Sequence, residues 1–145
     1  MAKTSFNTST TTRTPADWTV ITFGLLDVVT AISGLLNPNR LRTSTGLPET
    51  GDPRSDNATR TLLLTISIAA INNGTAYILG GIHSWRGFAA WSVAARLFMG
   101  TGFIIMTRQQ LAPKRFRRAV IWELVGAAST TAAIWSKRHT SAIRP

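Results

Sequence analysis

Four stretches of the chain are almost wholly apolar, and polar segments separate them. They cover about Trp18–Leu36, Leu62–Ile82, Phe88–Met106 and Ala119–Trp135. A helix needs roughly 17–25 mostly apolar residues to cross a hydrocarbon layer ~30 Å thick. Each stretch meets that length, and Leu62–Ile82 carries no formal charge. The pattern predicts an all-α, polytopic membrane protein built as a bundle of four transmembrane helices.

The polar segments divide the chain into three predicted parts. Residues 1–16 are rich in Ser and Thr, and since they cannot bury enough apolar surface to offset their ordering entropy, we expect a disordered tail. Residues 17–136 form the predicted membrane domain, in which 37–61 is a long polar loop, 83–87 a tight turn and 107–118 a basic loop. Residues 137–145 are a basic C-terminal tail.

The composition favours burial in lipid over a soluble fold. Apolar residues make up 44% of the chain and charged residues 15%, whereas soluble domains carry about 25% charged residues. A soluble four-helix bundle would place charges along one face of every helix, and the four stretches do not. Trp18, Trp85 and Trp135 stand at the ends of the stretches, where membrane proteins form an interfacial aromatic belt. We therefore expect a lipid bilayer to be the main partner.

The net charge of +10 predicts contact with anionic lipid and no nucleic-acid partner. The densest basic run, residues 114–118, directly precedes the fourth stretch. Such a run attracts anionic lipid at about 1 kcal/mol per cation, and no nucleic-acid reader motif accompanies it. Six Lys and Arg lie on the side of the termini and nine on the other side. This bias predicts a cytosolic basic loop, with both termini across the membrane.

Three ionisable residues inside the predicted spans are the candidate catalytic groups: Asp27, Arg96 and Glu123. A charged group in hydrocarbon costs about 2.5–3.5 kcal/mol, so it pairs or faces a wet cavity. Asp27 and Arg96 lie at matching depths in spans of the same direction, which predicts an ion pair. Glu123 can reach Arg96, or Arg117 and Arg118. In a reaction the carboxyl groups would exchange a proton and Arg96 would stabilise negative charge; the alternative is a structural role in fixing helix register.

Small and polar residues at helical spacing predict which helix faces point inward, because small residues permit close approach and polar ones hydrogen-bond between helices. The four predicted stripes are Gly24, Asp27, Ala31 and Gly34; Thr65, Ala69, Asn72, Ala76 and Gly80; Ser92, Arg96 and Gly100; and Ala119, Glu123, Ala127 and Thr130. In the second span, the candidate ligand-binding residues are Asn72, Asn73 and Tyr77.

The sequence carries no motif for a metal, a cofactor or a nucleotide. Cysteine is absent, and the two histidines, His83 and His139, belong to no metal-binding spacing. A Gly-rich phosphate loop and a nucleophile elbow are also missing. We therefore expect no metal and no cofactor. The sequons at Asn7 and Asn57 are glycosylation candidates, and the topology decides which of them faces a lumen.

Three segments of the chain carry a resemblance to a known group of proteins. They are residues 34–38 (GLLNP), residues 45–48 (TGLP) and the Arg-containing residues 94–100 (AARLFMG). In outline the chain resembles small fungal four-span integral membrane proteins associated with natural-product or sterol pathways. The resemblance implies an endoplasmic reticulum setting and a hydrophobic metabolite of the polyketide, terpenoid or sterol-like kind.

Two functions remain open at this point. The first is an accessory or scaffold protein that supports pathway enzymes or holds the hydrophobic molecule. The second is a membrane-embedded isomerase, cyclase or oxygenase that uses Asp27, Glu123 and Arg96.

Overall fold

The regular structure is helical throughout the described part of the chain. A computed structural model describes the backbone of residues 13–142 and the side chains of residues 13–136. Its elements are α1 (Pro15–Leu36), α2 (Pro38–Thr45), α3 (Pro53–Ile82), α4 (Phe88–Arg108), a 3-10 helix (Lys114–Phe116) and α5 (Arg117–Ala142). Helices α1, α3 and α4 are long and apolar enough to cross a membrane. Helix α5 mixes Ser, Thr and Glu123 into its apolar residues and is not one of those three.

Local sequence explains where α1 and α3 begin. Thr14 and Asp17 form a capping box at the start of α1, with Pro15 in the first turn. Asp52 caps α3, and its carboxylate accepts from the backbone N–H groups of residues 54 and 55. Helix α1 therefore starts inside the predicted tail 1–16, of which residues 1–12 lie outside the described part. Helix α5 likewise continues to Ala142, into the predicted C-terminal tail.

The predicted polar loop 37–61 is largely helical. Asn37 ends α1 and also caps α2, because its side-chain oxygen accepts from the Arg40 N–H at 3.0 Å. Helix α2 ends at Gly46, whose φ of 78° is left-handed. Helix α3 then begins at Pro53, well before the apolar stretch. The prediction of a long polar loop was wrong for α2 and for the start of α3, since a proline that ends one helix also fits the first turn of the next.

The long helices pack as two antiparallel pairs. Helix α1 packs most extensively against α3, and α4 against α5, while α1 also contacts α5. The start of α1, the α3–α4 turn and the end of α5 therefore lie at one end of the bundle. Trp18, Trp85 and Trp135 sit at that end, each more than half exposed, which matches an interfacial belt. The tight turn 83–87 is present as predicted, but beyond it α3 and α4 make few contacts.

Burial is inverted relative to a soluble protein. Ser67, Ser92 and Thr130 are at most 2% exposed, whereas Phe98 is 79% and Val29 63% exposed. Soluble monomers rarely expose contiguous apolar faces on this scale. The multi-pass membrane class predicted from the sequence is therefore supported by the packing as well as by three spans of sufficient length.

Glycines bring α1 and α3 into close contact. A Cβ added at Gly24 would lie 2.7 Å from the carbonyl oxygen of Gly74, and one added at Gly74 would lie 2.7 Å from that of Gly24. Near the other end, a Cβ on Gly34 would lie 2.9 Å from the Ser67 hydroxyl. The face of α3 that packs on α1 thus carries small residues seven apart, Ser67, Gly74 and Gly81. We call this contact the glycine seam.

The inward face predicted for the second span was wrong. Thr65, Ala69 and Asn72 are exposed, and only Gly80 of that stripe is buried. Helix α3 is rotated so that Gly74 meets α1, because only the glycine face lets the two backbones touch. The other three predicted stripes point inward, with buried members Gly24, Ala31, Gly34, Ser92, Arg96, Gly100, Ala127 and Thr130.

Polar contacts anchor the connections at both ends of the bundle. At one end the Asp17 carboxylate accepts from the backbone N–H and hydroxyl of the cap residue and from the Ser84 hydroxyl at 3.1 Å. At the other end Arg42 pairs with Asp56 at 2.7 Å and also donates to the Pro48 carbonyl. These contacts fix the α3–α4 turn to α1 and the α2–α3 connection to α3.

Candidate functional site

Arg96 lies at the centre of the bundle and is only 2% exposed. Its Nη1 donates to Glu123 Oε2 at 3.2 Å, and its Nη2 lies 3.7 Å from Asp27 Oδ2. The guanidinium carbon is 4.7 Å from the centre of the Phe23 ring and 4.9 Å from that of Tyr77, distances at which ring and cation attract. We call Asp27, Arg96 and Glu123 the charged cluster.

The predicted Asp27–Arg96 ion pair is confirmed, and Glu123 takes Arg96 as its partner rather than Arg117 or Arg118. Gly126 makes room for the guanidinium, because an added Cβ there would lie 2.9 Å from Arg96 Nη1. The Arg96 side chain is therefore enclosed on all sides by α1, α3 and α5.

Trp122 holds the Asp27 carboxylate from the far side. Its Nε1–H donates to Asp27 Oδ1 at 3.1 Å, and its ring meets Phe23 edge to face at 5.1 Å between centroids. Sequence reasoning missed both Trp122 and Gly126. The one available signal was general: a carboxylate inside a bundle needs hydrogen-bond donors, and an indole N–H in a neighbouring span can be one.

A cleft of about 310 Å³ opens beside Asp27, and we call it the Asp27 cleft. Its apolar wall consists of Ala31, Leu41, Ile66 and Ala70, and its polar lining of Asp27, Thr30, Ser67 and Trp122. The Ser67 hydroxyl donates to the Leu63 carbonyl of its own helix. Ile66, which lines the cleft, is 50% exposed, so the cleft opens on the outer surface of the bundle. Asp27 is the one ionisable group in this lining.

In comparisons with known proteins, no family model, no curated protein and no solved structure matches this chain. The geometry of the charged cluster and of the Asp27 cleft therefore carries the functional argument.

The structure separates the predicted site residues. Tyr77 is 3% exposed and packs beside Arg96 and against Phe88 and Trp91. Asn72 and Asn73 are exposed on α3. None of these three lines the Asp27 cleft, nor do Arg96 and Glu123. Of the catalytic candidates, only Asp27 lines that cleft.

The two glycosylation candidates fall in different places. Asn57 is exposed near the start of α3, and Asn7 lies outside the described residues.

Proposed function

We propose that this chain is a four-span membrane protein that holds a small hydrophobic molecule in the Asp27 cleft. The observation that carries the proposal is a single carboxylate in the wall of a mostly apolar cleft, where it is the one ionisable group. Its volume, about 310 Å³, lies at the lower end of ligand-binding cavities, which run from ~300 to ~1,000 Å³. The proposed role of the protein is that of an accessory or scaffold protein in the biosynthesis of a polyketide, terpenoid or sterol-like metabolite at the endoplasmic reticulum membrane. That setting rests on the resemblance alone.

Contacts along α5 support a fourth crossing. The Thr130 hydroxyl lies 3.3 Å from that of Thr19 near one end of α1, and Trp122 reaches Asp27 further along. Helix α5 thus runs beside α1 through the depth of the bundle. Its polar groups Glu123 and Thr130 point inward, while its outer face is apolar and exposed at Ile121, Leu124 and Val125.

The charge balance of the cluster favours a ligand that donates a hydrogen bond. One guanidinium serves two carboxyl groups, and it donates to Glu123 while staying 3.7 Å from Asp27. Trp122 satisfies Asp27 Oδ1, whereas Oδ2 accepts no hydrogen bond from any described residue and keeps acceptor capacity in a residue that lines the cleft. A hydroxyl of a terpenoid, sterol or polyketide fits this requirement, and the apolar wall fits the rest of such a molecule.

Burial of Arg96 supports binding over catalysis. A cation that stabilises charge on a reacting molecule must touch it, whereas Arg96 is enclosed by two rings and two carboxyl groups. The alternative, a membrane-embedded isomerase, cyclase or oxygenase, keeps one supporting observation. Asp27 stands at the cleft wall, where a carboxyl group can exchange a proton with a bound molecule.

Ligand titration in lipid nanodiscs tests the binding function. The probes are farnesol for the terpenoids, ergosterol for the sterols and 1,8-dihydroxyanthraquinone for the polyketides. Native mass spectrometry measures the amount of probe bound to the protein. We expect at least one probe to bind the unaltered protein and Ala70→Phe, which fills the cleft, to abolish binding. Ala94→Phe, at an exposed position on α4, is the matched control and should bind normally. Asp27→Asn should weaken binding about tenfold, the loss expected for one hydrogen bond to a charged group. Binding of no probe, or equal binding by both Phe variants, would refute the proposal.

Metabolite profiles separate the accessory function from the enzymatic one. A strain that lacks the protein is complemented with Asp27→Asn or Glu123→Gln at matched protein level. If the protein is an accessory protein, the variant strains make the same products, and the product amounts fall no more than ligand binding falls. If the protein is an enzyme, the pathway in the variant strains stops at one step, so the precursor of that step accumulates.

A further inference from the structure

Asn72 stands at mid-depth on the outward face of α3. The charge-free segment Leu62–Ile82 extends ten residues to either side of it, about 15 Å at 1.5 Å per residue and half of a ~30 Å hydrocarbon layer. The side chain is exposed. By helical spacing it points away from Gly74 and Tyr77, which pack toward the bundle.

The amide of Asn72 forms no hydrogen bond with any residue that the structure describes. The hydroxyls of Thr65 and Thr75 on the same side of α3 donate to the carbonyl oxygens of Thr61 and Ile71, at 2.9 and 2.8 Å. Those two side chains are therefore satisfied within the helix. An asparagine amide offers two donors and an acceptor, and an unpaired amide in hydrocarbon is costly. Asn72 is thus the polar group of this face that needs a partner from outside the monomer.

The residues around Asn72 form a helix-packing pattern that the monomer leaves unused. Thr65, Ala69, Asn72 and Ala76 recur at helical spacing, and Ile68, 60% exposed, and Leu79, 43% exposed, flank them. Membrane helices associate through small residues and interhelical hydrogen bonds. This stripe has both features and contacts no other described helix extensively.

We propose that Asn72 is the centre of a homodimer interface inside the membrane, with a second copy of this chain as the occupant. An amide both donates and accepts, so two Asn72 side chains related by a two-fold axis satisfy each other through reciprocal hydrogen bonds. A lipid headgroup cannot replace this partner, because the nearest headgroups lie about 15 Å away along the helix axis.

Cysteine cross-linking tests the interface, since the chain has no cysteine of its own. The protein carrying Ile68→Cys is reconstituted in phosphatidylcholine vesicles and oxidised over a range of lipid-to-protein ratios. We expect disulfide-linked dimers from Ile68→Cys that persist on lipid dilution. Phe98→Cys on α4, 79% exposed, is the matched control and should give only collision products that dilution removes.

The role of Asn72 is read from second substitutions in the Ile68→Cys protein. Asn72→Leu should lower the dimer association constant about tenfold, Asn72→Gln should retain it, and Thr75→Val should leave it unchanged. Leucine suits lipid, so the Asn72→Leu chain is expected to fold, and its circular dichroism checks that. Equal cross-linking from Ile68→Cys and Phe98→Cys would overturn the proposal. So would dimers that survive Asn72→Leu, or a chain that stays monomeric at every ratio, in which case Asn72 meets a different membrane protein.

Discussion

Replacing Arg96 with methionine leaves two carboxyl groups in the bundle without their cation. Methionine keeps most of the side-chain volume and its contact with the Phe23 and Tyr77 rings, so the loss is chiefly electrostatic. Removal of one partner from a buried ion pair costs about 3–5 kcal/mol, and loss of two ring–cation contacts adds about 1 kcal/mol each. We expect the free energy of unfolding to fall by about 5–7 kcal/mol, a large share of the ~5–15 kcal/mol typical of a folded protein.

Removing all three charges separates electrostatics from packing. The variant Arg96→Met with Asp27→Asn and Glu123→Gln keeps the shape of the cluster but buries no ion. Because replacing a buried ion pair with neutral groups is often close to neutral in stability, the triple variant should recover the ion-pair part of the loss, about 3–5 kcal/mol, and keep the loss of the two ring–cation contacts. Gly102→Ala on α4, where an added Cβ meets nothing within 4 Å, is the control and should be at least as stable as the unaltered protein, because alanine favours a helix interior over glycine by about 0.5–1 kcal/mol.

Unfolding in mixed micelles by increasing sodium dodecyl sulfate, followed by far-UV circular dichroism, measures these differences. The order of stability should be the unaltered protein and Gly102→Ala first, the triple variant next and Arg96→Met last. Two results refute the reasoning: Arg96→Met as stable as the Gly102→Ala control, or a triple variant no more stable than Arg96→Met. Either would show that the carboxyl groups do not depend on Arg96 as the 3.2 and 3.7 Å distances indicate.

Four further predictions concern packing, capping, loop anchoring and topology. Gly24→Ala and Gly74→Ala each place a Cβ 2.7 Å from a carbonyl oxygen across the glycine seam, and each should cost about 1–3 kcal/mol in the same titration; costs no larger than that of Gly102→Ala would contradict the seam. Asp17→Ala removes the carboxylate of the α1 capping box and the acceptor for Ser84, so thermal unfolding in detergent should show a loss of about 1–2 kcal/mol, with Ser84→Ala losing less. Arg42→Ala releases Asp56, so trypsin should cut the start of α3 severalfold faster, whereas the exposed Arg40→Ala should leave the rate unchanged. With the basic loop in the cytosol, Asn57 should stay unglycosylated in microsomes, and a glycan there that endoglycosidase H removes would reverse the orientation.

The sequence predicted those parts of the site that are determined by one large free-energy cost, that of a charged group in hydrocarbon. A charge in hydrocarbon must pair, so the matching depths of Asp27 and Arg96 were enough to predict that these two side chains meet. Three inward stripes follow for a similar reason, since each held a charged residue that had to face protein. The spans were visible because lipid requires length and apolarity of every crossing segment.

The rotation of α3 could not be predicted from its own sequence. Its span holds no charge, and it offers two stripes of small residues, one through Asn72 and one through Gly74. The choice between them depends on α1, where Gly24 admits the backbone of Gly74 and Gly34 admits the side chain of Ser67 at contact distance. Trp122 was not predicted for the same reason. A hydrogen-bond donor can be recognised as a partner only when the position of its acceptor is known.

Arg96 and Asp27 have two different roles that a single residue in a membrane bundle meets poorly: one fixes the arrangement of the helices and the other offers an acceptor to a ligand. Helices in lipid gain nothing from hydrophobic burial against one another, so polar contacts must fix their arrangement. Arg96 does this for α1, α3 and α5 together, and it cannot leave its partners for a ligand without exposing both carboxyl groups to hydrocarbon. Asp27 lines the cleft, keeps one oxygen on Trp122 and has the other 3.7 Å from Arg96 Nη2, so in the proposed function it gains or loses a ligand's hydrogen bond while the bundle stays closed. On the proposed function, a hydrophobic ligand binds where the cluster has spare acceptor capacity, and its binding should tighten the α1–α3 contact that forms the cleft wall.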